Sequence, residues 1–197
     1  MGEIGEAMAL GDLIPWIVGG IIVLVIVGLV LYFVGVYNRF FSLKNSSEAT
    51  LGQIRVAMKK RLDMIDQLLG AVKSYASFER ETFEKVTAMR ASVGSAGPGD
   101  LNQIERESRS LLGRLFAVAE NYPDLKTNAT VMNLMDAVRG VEDEIARQRY
   151  TYNNISQQFN TLRDVIPSNF VARILGLPKL EYLEFEEAIQ TPPKIAF

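Results

Sequence analysis

The stretch Leu13–Asn38, LIPWIVGGIIVLVIVGLVLYFVGVYN, is a run of 26 residues without a charge in a chain of 197. As a helix rising about 1.5 Å per residue it exceeds the roughly 30 Å hydrocarbon core of a bilayer, so it spans with tilt or overhang. Trp16 near one end and Tyr37 near the other stand where aromatic interface residues belong. Pro15 suits a first helical turn, where its missing N–H costs nothing. A cleaved signal peptide would need a basic start and an apolar stretch of about 7–15 residues. Here the start is acidic (Glu3, Glu6 and Asp12, with no basic residue before Arg39) and the run is too long. The reading is a short exposed segment over residues 1–12 and a single transmembrane helix over 13–37. Gly20, Gly28 and Gly35 form no GxxxG motif, so they are a weak signal for helix association.

Orientation follows from the basic residues. Residues 38–61 hold Arg39, Lys44, Arg55, Lys59, Lys60 and Arg61 against Glu48 alone. Such residues tend to stay on the cytoplasmic side. The N-terminus is therefore expected outside and the remainder in the cytoplasm.

The formal net charge is −2, which points to no nucleic-acid partner. There is no Cys and no His. Disulfides, thiolate nucleophiles, Cys/His metal sites and imidazole acid–base chemistry are thereby excluded. No glycine-rich phosphate loop, paired acidic metal motif or nucleophile elbow is present. No catalytic activity, cofactor, metal or small-molecule substrate is expected.

The soluble part reads as all-α, a bundle of long antiparallel helices with coiled-coil-like packing. Leu51, Ile54, Met58, Leu62, Ile65, Leu69, Val72, Ala76, Phe83 and Val86 recur at intervals of three and four or their sums, one stripe on a helix ending near Ser92–Gly94. Asn45-Ser46-Ser47-Glu48 offers cap residues for its start, but no Pro separates it from the membrane helix, so continuity is open. Ser95-Ala96-Gly97-Pro98-Gly99 is the clearest break. Asp100 and Gln103 fit a variant capping box for a second helix, which Tyr122-Pro123 ends. In the third helix Val131, Leu134, Val138, Val141, Ile145, Gln148, Tyr152, Ile155, Phe159, Leu162 and Ile166 alternate spacings of three and four, a 3.5-residue seam. Gln148, the polar exception, is read as lying at the seam edge. Pro167 stops the helix. Ser168 to Gly176 reads as a short last helix with Ser168 as cap and Gly176 as stop. The acidic tail 181–197 reads as extended and poorly packed unless a partner orders it.

Several stretches together resemble the LemA family of bacterial membrane proteins. Lys60-Arg61-Leu62-Asp63-Met64-Ile65 with Leu68-Leu69 is similar to its "RRADLIPNL" segment, and Val72-Lys73-Ser74-Tyr75-Ala76 with Glu79 to its "VKGYAxHE". Tyr122-Pro123-Asp124-Leu125-Lys126 is similar to "YPELK". Arg147-Gln148-Arg149-Tyr150 with Asn153 and Phe159-Asn160 resembles "ARxxYN…YN", and Ile166-Pro167-Ser168-Asn169-Phe170 with Ala172 resembles "FPSNxxA". Asp66-Gln67 replaces the family's Pro-Asn, and Phe78 replaces its His. The resemblance covers about residues 37–180 and sets a LemA-like helical domain at 38–180. It implies a bacterial cytoplasmic (inner) membrane location, a membrane-anchored helical domain and no established enzymatic activity. One branch of the family is associated with magnetosome membranes, which by analogy implies scaffolding or membrane shaping.

Three sets of residues are candidates for function. Phe170, Val171, Ile174 and Leu175 are apolar on the last helix; they would close the bundle, touch the membrane surface or meet another subunit. Lys59, Lys60 and Arg61 would pair with acidic residues of another helix in preference to lipid headgroups. If the helix is straight they stand about 30 Å past the membrane edge, beyond the roughly 10 Å screening length. Trp16 and Tyr37 mark the membrane interface. The expected partners are the lipid bilayer and further copies of the chain in a homo-oligomeric scaffold; the alternative is an adaptor that binds a protein partner.

Overall fold

The computed structural model describes residues 2–76 and 78–184, with side chains from residue 15 onward. The backbone is helical from Gly2, and the side chains of the expected exposed segment 1–12 lie outside the described residues. So does the acidic tail beyond Glu184. Among the described residues six α-helices follow in order: α1 Gly2–Val72, α2 Arg80–Ser92, α3 Pro98–Asn121, α4 Pro123–Lys126, α5 Ala129–Asp164 and α6 Ser168–Ile174, with a 3-10 turn at Val93–Ser95. Among the described residues there is no strand.

The question of continuity is answered by α1, which runs through Asn45–Glu48 without interruption. The hydroxyls there bond backward into the helix instead of capping a new one. Ser47 Oγ donates to the Lys44 carbonyl at 2.7 Å, and Thr50 Oγ1 to that of Ser46 at 2.8 Å. The expected helix from Leu51 to Ser92, by contrast, is two helices. Its stripe counted Ala76 to Phe83 as one interval of seven, which hides a break. The chain turns at Val72, whose carbonyl accepts from the N–H groups of Tyr75 and Ala76. Tyr75 then sets its ring edge-on to Tyr122, with centroids 5.6 Å apart, and the Arg114 guanidinium lies 5.7 Å from the centroid of the Phe78 ring.

Helix α3 starts earlier than expected. Gly97 is its N-cap and Pro98 its first residue, so Asp100 takes the third position and its Oδ2 accepts from the Gly97 N–H at 3.2 Å. Helix α5 is capped by Asn128, whose Oδ1 accepts from the N–H groups of Thr130 (2.9 Å) and Val131 (3.3 Å). Asn128→Ala removes both bonds and should lower stability by about 1 kcal/mol, read as a lower urea midpoint with unchanged slope.

Ser168 is not the cap of α6. It is the helix's first residue, and its Oγ donates to the carbonyls of Leu162, in the last turn of α5, and Val165, just past it. Gly176 is the stop. Its φ of 61° is a conformation that glycine adopts without penalty. Gly176 N–H donates to Arg173 and Leu177 N–H to Ala172, which is a Schellman ending.

The chain forms two compact units. One comprises residues 1–42 and 161–178. In it the apolar part of α1 is bare: an 18-residue window has mean hydropathy 3.0 with none of it buried. Val36 and Phe40 are the buried residues of α1 here, where 161–178 gather against that helix within the unit. The other unit comprises residues 43–160 and the chain from Lys179. Its core joins Ile54, Met58, Leu62, Ile65, Leu68 and Leu69 of α1 to Val86, Leu101, Leu115, Val138, Ile145 and Tyr152. Full burial of one such aliphatic side chain contributes roughly 1.5–3 kcal/mol, so this seam dominates the stability of the unit.

Candidate functional site

Each of the three long helices of this second unit turns charged side chains inward, and these meet around Arg61. Arg61 follows the exposed Lys59 and Lys60 but lies on the α1 face that carries Met58, Leu62 and Ile65, and it is fully buried. Its Nη2 donates to Glu105 Oε2 at 2.8 Å and to Ser108 Oγ on α3, and its Nη1 donates to Glu142 Oε1 on α5 at 2.8 Å. Arg109 binds Glu105 Oε1 at 2.7 Å and Glu142 Oε2 at 3.3 Å. Arg149 reaches Glu105 Oε1 at 3.2 Å. Two carboxylates thus sit among three guanidinium groups.

Burial pushes the Glu105 carboxyl up, but Arg61, Arg109 and Arg149 outweigh it and hold the group below its usual 4.5. A carboxylate held ionised this firmly is a poor proton donor or base near neutral pH. The cluster acts as a clamp between helices. A depressed carboxyl contributes stability above its unfolded value and loses it as pH falls through the folded value. Thermal midpoints of the intact chain should hold from pH 7 to about 5 and fall below about 4. Glu105→Gln should be less stable at pH 7 and show a shallower acid decline.

A second arrangement holds the nonhelical segment Leu177–Glu184 by its backbone. Asn160 of α5 exchanges two bonds with Leu180: Nδ2 donates to its carbonyl at 2.9 Å, and its N–H donates to Oδ1 at 2.9 Å. Asn153 does the same with Leu183, at 2.7 and 2.8 Å. From α3, Asn102 accepts the Glu184 N–H at 2.9 Å and donates to the Tyr182 carbonyl at 3.5 Å. Arg106 pairs with Glu184. Leu183 drops into the core and is buried. A side-chain amide offers one donor and one acceptor, so it can replace the neighbouring strand that an extended backbone would otherwise require. Beside this strap a cavity of about 570 Å³ opens along α5, lined by Tyr150, Asn153, Gln157 and Tyr182 among others. Tyr150 is 69% exposed and Tyr182 48%.

The three predicted sets fare differently. Arg61 pairs with acids of two other helices, Lys60 lies 3.7 Å from Glu144 at the surface, and Lys59 is exposed. On α6 and just past it Val171 is buried, Leu175 is half-buried, and Phe170 and Ile174 are exposed. Trp16 is exposed, and the Tyr37 ring lies 4.5 Å from that of Phe41. Among the departures from the family pattern, Asp66 pairs with Arg90 at 3.1 Å and Phe78 sits against Arg114.

The sequence reading missed Glu105, Glu142, Arg149, Asn102, Asn153 and Asn160. Their signal is position: Arg149 is four residues after Ile145 and three before Tyr152, and Asn160 is seven after Asn153. A seam drawn by strict alternation of three and four selects Gln148 and Ile155, whereas the buried positions are Arg149 and Ser156. Among the described residues no cluster of acidic side chains is arranged to hold a metal ion.

The stretches that carry the family resemblance supply four of these residues: Arg61, Arg149, Asn153 and Asn160. The sequence pattern of the LemA family matches residues 50–197. Protein LemA of Metamycoplasma hominis is 27% identical over 157 residues, covering 79% of this chain and 72% of its own length. Magnetosome protein MamQ 2 of Paramagnetospirillum magneticum is 25% identical over 183 residues, covering 79% of this chain and 67% of its own length. Magnetosome protein MamQ of Magnetospirillum gryphiswaldense is 23% identical with the same coverage. With an N-terminal helix apolar and long enough to cross a membrane and a helical domain matched over most of its length, the chain belongs to the LemA family.

Proposed function

We propose that this protein is a membrane-anchored helical adaptor that binds a protein partner and performs no catalysis. Helix α1 fixes it in the bacterial inner membrane, N-terminus outside, with the bundle in the cytoplasm, as the placement of basic residues favours. The observation that carries this reading is the fate of the α5 seam. Val131, Val138, Val141, Ile145, Tyr152 and Phe159 are all buried within the chain. A homo-oligomeric scaffold drew its support from that seam, and one copy of the chain already buries these six of its positions, leaving Ile166 at its end exposed. What the bundle offers instead is the edge of the strap, where Tyr150 and Tyr182 flank a cavity edged by amides. Exposed tyrosines beside hydrogen-bonding groups suit a protein interface.

Two measurements test this together. The mass of the full chain in mild detergent should be that of a monomer across concentrations. A photo-crosslinker at position 150 in cells should yield a product with a different protein. A concentration-dependent oligomer, with self-crosslinks dominant at position 150, would restore the scaffold reading.

A further inference from the structure

The first compact unit carries an apolar patch that is exposed among the described residues. Val165 is 45% exposed, Ile166 77%, Phe170 57% and Ile174 72%. Ile166, Phe170 and Ile174 recur every four residues, and the exposed Arg173 lies beside them. Large side chains this bare mark a contact surface.

Its place in the unit says what covers it. Trp16 to Tyr37 is 21 residue steps, about 32 Å of helix, which matches the roughly 30 Å hydrocarbon core. Tyr37 therefore lies at the membrane boundary. Phe33 is half-buried, and Val36 and Phe40 are buried; at spacings of three and four they form one face of α1 at that same level. Residues 161–178 gather against this helix within the unit, so the patch stands at the depth of the headgroups.

We propose that Val165, Ile166, Phe170 and Ile174 form a second, in-plane membrane contact, dipping into the headgroup–acyl boundary of the bilayer that α1 crosses, with Arg173 on lipid phosphates. The anchor holds the patch at high effective concentration beside the surface, so a small apolar area suffices. The contact complements the span: α1 fixes depth, and α6 fixes rotation about the membrane normal.

The chain has a single tryptophan, Trp16, which makes the test clean. In a W16F background, Phe170→Trp and, separately, Ile174→Trp report from the patch, and Tyr150→Trp reports from an exposed position of the other unit. Each full-length variant is reconstituted in vesicles of phosphatidylcholine and phosphatidylglycerol, with and without acyl-chain bromination. The expected result is blue-shifted emission from positions 170 and 174 that brominated lipid largely quenches, with position 150 water-like and unquenched. Water-like, unquenched emission at both patch positions overturns the proposal. So does a blue shift that brominated lipid leaves intact and that grows with protein-to-lipid ratio, because a second copy then covers the patch. Equal quenching at 150 overturns it too, since the contact would not be specific to α6.

Discussion

Arg61→Met is expected to destabilise the full chain by about 3–5 kcal/mol, read as a lower denaturation midpoint by circular dichroism in detergent. Methionine nearly preserves the volume, so the loss comes from charge. Arg61 is fully buried and is the residue that joins α1 to both Glu105 on α3 and Glu142 on α5. Its removal leaves two carboxylates with less positive charge around them, and one of them is itself buried. The companion variant separates the pair from the penalty. Arg61→Met with Glu105→Leu removes the buried carboxylate together with its partner and should recover part of the loss, because an apolar pair can replace a buried ion pair while the buried Arg149 gives up its bond to Glu105. Lys60→Met is the control. Its partner Glu144 is 3.7 Å away and both side chains are partly exposed, so the change should stay under about 1 kcal/mol.

Asn153→Ala with Asn160→Ala should release the strap. The pair makes four hydrogen bonds to the backbone of Leu180 and Leu183. At about 1 kcal/mol each they contribute about 4 kcal/mol, close to a thousandfold in the closed-to-open equilibrium of this segment. Lys179 is exposed in the strap, so limited trypsin digestion reads its opening directly. The double variant should be cut after Lys179 far faster than the parent while the helix content stays the same. Asn154→Ala, one residue from the ladder and exposed, should leave the rate unchanged. If the double variant is cut at the parental rate, the burial of Leu183 and the contacts of Asn102 and Arg106 hold the strap without the α5 amides.

The two variants probe what the sequence displayed least. An uncharged run announces a membrane span by its length, and apolar periodicity announces amphipathic helices, so the membrane-crossing part of α1, helices α3 and α5 and the corners at Gly97-Pro98, Tyr122-Pro123 and Pro167 are legible, while the continuity of α1 is not. Periodicity is blind in two ways here. It ran through the turn at Val72 because the next apolar residues happened to keep the count. It also passed over Arg149, Ser156 and Asn160, because a polar residue on a buried face is indistinguishable in sequence from one at the edge until its partner is known. Arg61 was marked through its basic neighbours, and the acids that meet it are far away in the chain. The strap lay deeper still. The fragment Leu177–Glu184 has no helical period of its own, and what fixes it are amides on two distant helices.

Those amides form a ruler. Asn153 and Asn160 are seven residues apart, about 10.5 Å along a helix. Leu180 and Leu183 are three residues apart, about 9–10 Å of extended chain. Two helical turns thus nearly equal three extended residues, and both notches engage at once only at that count. The amides touch main-chain atoms alone, so they tolerate almost any side chain between the notches yet not a change of number. Deleting Glu181 would leave one notch empty or draw a neighbour of Leu183 toward the core. The site measures length where most binding grooves measure shape, and so it sets the register in which the strap up to Glu184 lies on α5.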